Sequence, residues 1–167
     1  MSIVVIDYGS GNLKSAAKAL EAAGNNINIS SKIVVTSDPK IIKQSEKIVL
    51  PGQGSFRDCY LGIKKISGLI ETLNEFVLVK KKPIFGICVG MQLFAKTGYE
   101  SQETKGFGWI DAQVRKINNI NKKLKLPHMG WNELELKKDS FLFSNIKNKS
   151  HVYFIHSYEF KTKKKTM

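Results

Sequence analysis

The 167-residue sequence is poor in cysteine, histidine and long apolar runs, and each shortage argues against a class of protein. Its two cysteines, Cys59 and Cys88, are too few for a disulfide framework and are expected to be reduced thiols. No cysteine or histidine has zinc-ligand spacing, so we expect no metal. No apolar run reaches membrane-spanning length, and the N-terminus has no signal-peptide pattern. We expect a cytoplasmic protein that does not enter a membrane.

Acidic residues are also scarce, because 27 Lys and Arg face only 14 Asp and Glu, which gives a formal net charge of +13. Such a charge is typical of nucleic-acid-binding proteins. Here nearly all the cations are lysine, arginine is almost absent, and no aromatic residues alternate with the lysine groups. A Lys-rich solvated surface is therefore favoured over a nucleic-acid interface. Steeply salt-dependent DNA binding would indicate the opposite.

Short β-branched runs alternate with helical patterns in the first hundred residues. Buried strands are predicted at residues 3–6, 33–36, 47–50 and 83–87. Helices are predicted at residues 13–24 with Gly24 as a stop, from Pro39 onward, at 69–79, and from 89 to about 96. This alternation predicts an α/β fold with a mostly parallel central sheet and helices on both faces.

The pattern of apolar residues changes after Gly98. The segments GFGWIDAQVRKI, WNELEL and HVYFIHSYEF alternate like strands with no clear helix between them. We therefore predict a mixed or antiparallel extension of the sheet. Residues 117–125 are polar and are predicted to form a surface loop. No repeat or linker is evident, so residues 1–167 are expected to form a single domain.

The strongest chemical signal is Gly86-Ile87-Cys88-Val89-Gly90, a nucleophile flanked by glycines two residues before and after it. We call this segment the elbow. Glycines at these positions remove Cβ atoms that would clash in a sharp turn between strand and helix. The thiol would then lie at the carboxyl edge of the sheet, at a helix N-terminus that favours the thiolate. A buried structural cysteine is the alternative.

A second glycine-rich turn, Leu50-Pro51-Gly52-Gln53-Gly54, ends another predicted strand. Such a turn can present backbone N–H groups to a developing negative charge. Alone, it is better interpreted as an ordinary loop between a strand and a helix. Together with the elbow, it favours an oxyanion-binding turn.

Five segments in this order, DYGSGN, LPGQGSF, GICVGMQL, LPHMGWN and YFIHSY, give the sequence a family resemblance. GICVGMQL resembles the class I glutamine amidotransferases, which have a flavodoxin-like three-layer fold. PHMGWN followed by YFIHSY resembles, more narrowly, the glutamine amidotransferase subunits of imidazole glycerol phosphate synthase. The resemblance covers essentially the whole chain.

The resemblance implies a reaction and a partner. Cys88 would attack the side-chain amide of L-glutamine to give a thioester and ammonia, and water would then release glutamate. The ammonia would pass through a tunnel to a (β/α)8-barrel cyclase subunit of the HisF type, in a heterodimer. The cyclase would make imidazole glycerol phosphate and AICAR in histidine biosynthesis. No metal or organic cofactor is implied.

The resemblance also implies residue roles. The oxyanion hole would be formed by Gly52, Gln53 and Val89, with the peptide of the turn moving inward in the active state. Position 53 is more often Val in the family. Contacts to substrate glutamine would come from Gln92, Glu100, Tyr153, Ser157 and Tyr158. The side facing the cyclase would include Asn12, Met129 and Trp131. Plainer interpretations are a surface role for Gln92, a core role for Trp131 and structural roles for His128 and His156.

A proton-accepting histidine is not evident. In the family, a late Q-F-H-P-E-K segment supplies His and Glu two residues apart, and none of His128, His151 and His156 lies in such a segment. His156 and Glu159 would lie on opposite faces of a strand. The chain is interpreted either as a fragment of a normal subunit, which is favoured because the glutamine-pocket residues are intact, or as a short non-catalytic paralogue. Another class I amidotransferase is a further alternative. The isolated chain is expected to be poorly soluble and to lack glutaminase activity.

Overall fold

A computed structural model describes residues 2–27, 32–118, 125–137 and 140–162. The chain divides into two compact units, the first spanning residues 1–115 and 160–167 and the second spanning residues 116–159. Most of the loop predicted at 117–125 lies outside the described residues. Within the described ranges, no helix is both long and apolar enough to cross a membrane.

The first unit contains a parallel four-stranded sheet in the order β2-β1-β3-β4. Its strands are β1 (Ser2–Ile6), β2 (Lys32–Thr36), β3 (Lys47–Gly52) and β4 (Ile84–Cys88). These are the four predicted strands, and the predicted α/β fold is confirmed. β3 continues two residues beyond the prediction, so that Gly52 pairs in register with Cys88 at the end of β4. The glycine-rich turn and the thiol therefore lie side by side at the carboxyl edge of the sheet.

The helices of this unit are α1 (Leu13–Asn26), α2 (Pro39–Gln44), α3 (Phe56–Lys64), α4 (Leu69–Asn74), a π-helical continuation (Glu75–Val79) and α5 (Val89–Gln92). Three of them begin at side-chain caps, which are Asn12, Asp38 and Ser55. The core combines strand residues with apolar helix positions, and its largest fully buried side chains include Phe56, Phe76, Ile6, Ile42, Ile48 and Leu50.

One predicted helix is too short, and one helix of the structure was not predicted. Gly24 does not stop α1, which continues to Asn26 and closes with an Ile27 N–H bond to the carbonyl of Gly24. Helix α3 was missed, although its start carries a recognisable signal. Ser55 Oγ accepts from the Asp58 N–H at 3.1 Å and donates to the Asp58 carboxylate at 2.7 Å. The Asp58 N–H bond to Ser55 is the one expected of an S-x-x-D start, although the Asp58 carboxylate accepts from the Ser55 hydroxyl rather than from its backbone N–H.

The helix predicted from residue 89 to about residue 96 is wrong in its second half. α5 ends at Gln92, and β5 (Ala95–Tyr99) follows. β5 pairs in parallel with β7 (Ile110–Lys116) and antiparallel with β6 (Glu103–Lys105). Because pairing on both sides satisfies its backbone, tertiary contacts outweigh the local helical pattern.

The strands predicted after Gly98 are present, but they form sheets separate from the parallel one. One is a mixed sheet in the order β10-β7-β5-β6, in which β10 is Tyr158–Thr162. The second unit contains an antiparallel pair of β8 (His128–Glu133) and β9 (His151–His156), which we call the ribbon. A short 3-10 turn, Phe141–Phe143, lies between the two ribbon strands in the sequence.

Candidate active site

Cys88 ends β4 and caps α5 in a backbone conformation that side chains seldom adopt. Its φ is 55° and its ψ is −120°, and the residue is exposed. A non-glycine residue at positive φ is uncommon, and such residues are concentrated at functional sites. The predicted order of strand, strained cysteine and helix is therefore present, and the buried structural cysteine is excluded for Cys88. α5 has only four residues, so its dipole is smaller than that of a longer helix.

The glycines around the elbow are required because backbones approach each other there. A Cβ on Gly90 would lie 1.9 Å from the carbonyl oxygen of Leu50, and one on Gly86 would lie 2.5 Å from Cα of Met91. A Cβ on Gly52 would lie 2.4 Å from the backbone nitrogen of Gly90. The end of β3 is thus packed directly against the first turn of α5, and this contact fixes the oxyanion turn beside the thiol.

A cavity of about 430 Å³ opens beside the thiol and combines the elbow with the turns after β1 and β3. Its lining comprises Gly11, Asn12, Ser15, Ala16, Pro51, Gly52, Gln53, Ile87 and Cys88. Asn12, predicted to face a partner, also caps α1, because its Oδ1 accepts from the Ser15 N–H at 3.1 Å. The parallel strands of an α/β sheet commonly hold a ligand at this edge.

The predicted oxyanion donors differ in their hydrogen bonding. Val89 is the first residue of α5, where its N–H has no preceding turn to accept it. The Gln53 N–H instead donates to Ser10 Oγ at 3.0 Å. Ser10 Oγ also donates to the Gln53 carbonyl oxygen at 2.7 Å. The Gln53 N–H is therefore already engaged by Ser10, and the oxyanion roles of Val89 and Gln53 stay predictions.

Three side chains that hold the oxyanion turn were not predicted as site residues: Tyr8, Ser10 and Cys59. The Tyr8 hydroxyl donates to the Pro51 carbonyl oxygen at 2.6 Å, and burial of this hydroxyl, followed by the nearby Cys59 thiol, raises the pKa of Tyr8 well above its usual range. The Cys59 thiol is buried and lies 3.4 Å from both Ser10 Oγ and the Gln53 oxygen. Sequence offers little signal for these contacts, because 43 positions separate Ser10 from Gln53.

Two predicted glutamine-binding residues lie in the first unit. Gln92 is half-buried at the last position of α5. Glu100 follows β5, and its Oε2 accepts from the Phe56 N–H at 2.6 Å, at the start of α3. A carboxylate at a helix N-terminus satisfies an unpaired N–H group and is stabilised there. Glu100 therefore supports the fold at this point, and its contact with glutamine stays a prediction.

The other predicted site residues lie in the second unit, where they are concentrated on the ribbon. Met129 pairs with Ile155 and Trp131 pairs with Tyr153, and all four side chains belong to one exposed face. Trp131 is 72% exposed, so the core role weighed for it is excluded. Its ring contacts that of Tyr153 edge to face, with centroids 5.6 Å apart. Tyr153, predicted to bind glutamine, thus shares a face with the two predicted partner-contact residues.

Ser157 and Tyr158 join the ribbon to β10. The Ser157 carbonyl accepts from the Ile117 N–H at 2.9 Å, and Tyr158 is the first residue of β10. Both residues are half-buried. Their predicted contacts with glutamine stay predictions.

All three histidines belong to the second unit, and two of them form a structural pair. His156 Nδ1 lies 3.0 Å from the Tyr158 carbonyl oxygen, and His156 Nε2 lies 3.2 Å from His128 Nδ1. Because a carbonyl only accepts, Nδ1 of His156 carries the proton, and its Nε2 accepts from His128 when the ring is neutral. His151 lies 3.9 Å from the Glu133 carboxylate. Among the described residues, no three His, Cys, Asp or Glu side chains cluster as metal ligands.

The arrangement places an exposed cysteine, on a strained turn at the carboxyl edge of a parallel sheet, beside a glycine-rich turn. This combination defines a class of α/β proteins that use a thiol for acyl transfer. Comparison with known proteins agrees, because the family described as Glutamine amidotransferase class-I matches residues 4–167.

The subunit HisH of imidazole glycerol phosphate synthase from Pelagibacter ubique is 54% identical over 161 residues, which cover 96% of this chain and 76% of that protein. HisH of Rhodospirillum rubrum is 47% identical over 162 residues, with the same two coverages of 96% and 76%. The chain therefore belongs to the class I glutamine amidotransferase family and, within it, to the HisH family.

Two solved structures support the fold. A glutamine amidotransferase from Thermotoga maritima has a TM-score of 0.60 at 21% identity, covering 97% of this chain and 63% of its own length. A second glutamine amidotransferase has a TM-score of 0.63 at 17% identity, covering 93% and 71%. The chain thus spans less than two thirds of the first structure and about three quarters of its curated relatives.

Proposed function

We propose that this chain is the glutaminase subunit of an imidazole glycerol phosphate synthase. The observation that carries the proposal is Cys88, which lies at positive φ at the end of β4, in register with Gly52 and in a cavity. The HisH relatives, up to 54% identical, support the same subunit over another class I amidotransferase.

In the proposed reaction, Cys88 Sγ attacks the carbonyl carbon of the glutamine side-chain amide. The carbonyl oxygen becomes an oxyanion, which the Val89 N–H stabilises and which the Gln53 N–H would stabilise once it turns inward. The C–N bond then breaks, and the nitrogen leaves as ammonia after gaining a proton. Water attacks the resulting thioester, which releases glutamate and restores the thiol.

Both proton transfers need a base, and the first unit offers no histidine for this role. In the second unit, His128 and His156 are engaged with each other and with the Tyr158 carbonyl. His151 lies beside the Glu133 carboxylate, at the opposite end of the ribbon from His128 and His156. We therefore propose that the 167 residues alone hydrolyse glutamine no faster than the Cys88→Ala variant. Glutamate release by this chain, abolished by Cys88→Ala, would contradict the proposal.

We further propose that the exposed ribbon face docks a (β/α)8-barrel cyclase subunit in a heterodimer of the cytoplasm, and that ammonia is channelled to it. This face is formed by Met129, Trp131, Tyr153 and Ile155, which are between 52% and 72% exposed. Contiguous exposed aromatic and apolar side chains mark protein–protein interfaces, where Trp and Tyr contribute most to affinity. Asn12 is proposed to face the same partner.

Co-purification with the cyclase subunit of the same synthase tests the partner. Trp131→Ala should weaken the complex by about tenfold to a hundredfold, since a central interface aromatic is worth roughly 2 kcal/mol or more. Phe141→Ala is the matched control, because Phe141 is an exposed aromatic in the same unit but not on the ribbon face. An equal loss of affinity in both variants would contradict the proposed face.

The cyclase reaction distinguishes the two candidate roles of the chain. A catalytic glutaminase subunit should support cyclase turnover on glutamine, and HisH of Pelagibacter ubique, expressed with the same cyclase, is the comparison protein. A non-catalytic binding subunit would form a tight complex that supports turnover on free ammonia only. Because the first unit has no histidine to act as a base, we expect the 167 residues alone to bind the cyclase and to give the second result, even though their sequence is that of a glutaminase subunit.

A further inference from the structure

Three side chains of the second unit form a continuous series of hydrogen bonds that ends at a backbone carbonyl. The Asn132 amide nitrogen lies 3.4 Å from Nε2 of His128, whose Nδ1 lies 3.2 Å from Nε2 of His156. Nδ1 of His156 lies 3.0 Å from the Tyr158 carbonyl oxygen. We call Asn132, His128 and His156 the histidine network. It connects strand β8 of the ribbon to Tyr158, a predicted glutamine contact, and the proposed reaction uses neither histidine.

The direction of the hydrogen bonds in the histidine network follows from its two ends. At one end, the Tyr158 carbonyl only accepts, so a neutral His156 ring carries its proton on Nδ1 and accepts at Nε2. At the other end, Asn132 Oδ1 accepts from the Glu133 N–H at 2.9 Å, which leaves the amide nitrogen to donate to His128 Nε2. Both ends therefore require each neutral ring to donate from Nδ1 and to accept at Nε2.

The histidine network lies on the face of the ribbon opposite the proposed docking face. His128 and Asn132 alternate along β8 with Met129 and Trp131, so the two pairs of side chains point to opposite faces. The His128 ring stacks on that of Phe154, with centroids 4.7 Å apart, and both residues are half-buried. The network is thus held by packing as well as by hydrogen bonds.

The bond from His156 acts on the segment that follows it. It spans Ser157, whose own carbonyl oxygen accepts from the Ile117 N–H at 2.9 Å. Two successive carbonyl groups are therefore held, and they belong to Ser157 and Tyr158, the two predicted glutamine contacts at this point of the chain.

We propose that His156 is a positioning residue that fixes the backbone of Ser157 and Tyr158 for glutamine binding. His128 and Asn132 keep the His156 ring in the tautomer that its bond to Tyr158 needs. The effect on glutamine rests on the proposed function, whereas the hydrogen bonds and the tautomers do not.

The nitrogen chemical shifts of the imidazole rings test the network in the folded chain. At pH 8, His128 and His156 should both carry the proton on Nδ1. His128→Phe keeps a ring to stack on Phe154 but removes the donor to His156, so the Nε2-protonated form of His156 should become detectable. A parent spectrum with the His156 proton on Nε2 would overturn the proposal.

Two substitutions of His156 separate its two bonds, because the amide of Asn reaches the position of Nδ1 and that of Gln the position of Nε2. His156→Gln loses the bond to Tyr158, so the Ile117 amide should exchange about tenfold faster. His156→Asn keeps a donor to Tyr158 and should exchange like the parent. His151→Gln is the matched control, at an exposed histidine near the other end of the ribbon. Equal exchange of Ile117 in the two Gln variants would overturn the positioning role.

Protection of Cys88 from iodoacetamide by L-glutamine tests the consequence for binding. The L-glutamine concentration that halves the labelling rate should rise about fivefold to tenfold in His156→Gln, the effect expected of one hydrogen bond. It should stay at the parent value in His156→Asn and in His151→Gln. A general loss of structure would instead change the labelling rate without glutamine. Equal protection of the parent and His156→Gln would overturn the role in binding.

The two experiments fail in different ways. If L-glutamine does not protect Cys88 even in the parent, the proposed glutamine site is overturned, and the effect of His156 on binding is overturned with it. The tautomers and the exchange of Ile117 still decide whether His156 holds the segment. Normal protection in His156→Gln, with faster exchange of Ile117, would overturn the role in glutamine binding alone.

Discussion

The two cysteine-bearing regions of the chain place the same side chain in opposite environments. Cys88 lies on the elbow, exposed and at positive φ, where three backbone segments meet without Cβ atoms between them. Cys59 lies within α3, is 1% exposed, and contacts Ser10 and the carbonyl of Gln53. The backbone around a thiol, rather than the thiol itself, therefore decides which cysteine is available for chemistry. The Cys59 thiol contacts the Gln53 turn, which is proposed to supply an oxyanion donor beside Cys88.

Alkylation by iodoacetamide should show the largest difference between the two regions. Cys88 should react in the folded chain, whereas Cys59 should react only when α3 opens. Because opening of a core element has an equilibrium constant of about 10⁻³ or smaller, Cys59 should be protected by a factor of at least about 10³. The masses of the two tryptic peptides over time give both rates. Similar rates would mean that α3 does not bury its thiol as described.

Alanine substitution should cost more stability at Gly90 of the elbow than at Gly54, which has open space at its Cβ position. Gly90→Ala places a Cβ 1.9 Å from the Leu50 oxygen, so the backbone must move. We expect a loss of about 3 kcal/mol or more in the free energy of unfolding, measured in urea.

Gly54→Ala is the control for this loss. Gly54 has a φ of +97° with open space around its Cβ position, so only backbone strain is added. The expected cost is about 1–2 kcal/mol. Equal losses in the two variants would show that close packing at the elbow is not what requires glycine.

Tyr8→Phe should produce the smallest change in the free energy of unfolding, and it tests the contact between Tyr8 and the turn at Pro51. The buried hydroxyl donates to Pro51, so its removal should cost about 1 kcal/mol in unfolding free energy at pH 7. Burial raises the pKa of Tyr8 in the folded state above its ordinary value of 10.0. The unfolded chain therefore releases this proton first, and the stabilisation present below pH 10 is lost as the pH rises above that value.

The pH dependence has its own control. Tyr8→Phe should remove part of the loss in stability above pH 10, measured by urea unfolding at pH 8 and pH 10.5. Tyr153 is 52% exposed. Removing its hydroxyl in Tyr153→Phe should leave the loss of stability above pH 10 as it is in the parent chain. Identical alkaline profiles for Tyr8→Phe and the parent would contradict the burial of this hydroxyl.

Much of the carboxyl edge of the parallel sheet could be predicted, because the sequence patterns that specify it are local. The β-branched runs of β1 to β4 and the glycines of the elbow specify the parallel sheet and the position of Cys88 within a few neighbouring residues. β5 could not be predicted, because its strand state depends on pairing with β6 and β7 rather than on its own sequence.

The hydrogen bonds of the oxyanion turn could not be predicted either. Tyr8 and Ser10 each reach a partner 43 positions away, and only the folded sheet brings these residues together. The start of α3 is different, because the S-x-x-D pattern of Ser55 and Asp58 is local and is visible in the sequence.

Labelling with the chloroketone analogue of glutamine, in the presence and absence of L-glutamine, tests the central claim most directly. We expect a single adduct on Cys88, found by peptide mass spectrometry, which L-glutamine suppresses and D-glutamine does not. We expect no adduct in Cys88→Ala and an unchanged adduct in Cys59→Ala. Labelling that L-glutamine fails to suppress, or that appears on Cys59 instead, would contradict the assignment of Cys88 as the nucleophile of a glutamine amidotransferase.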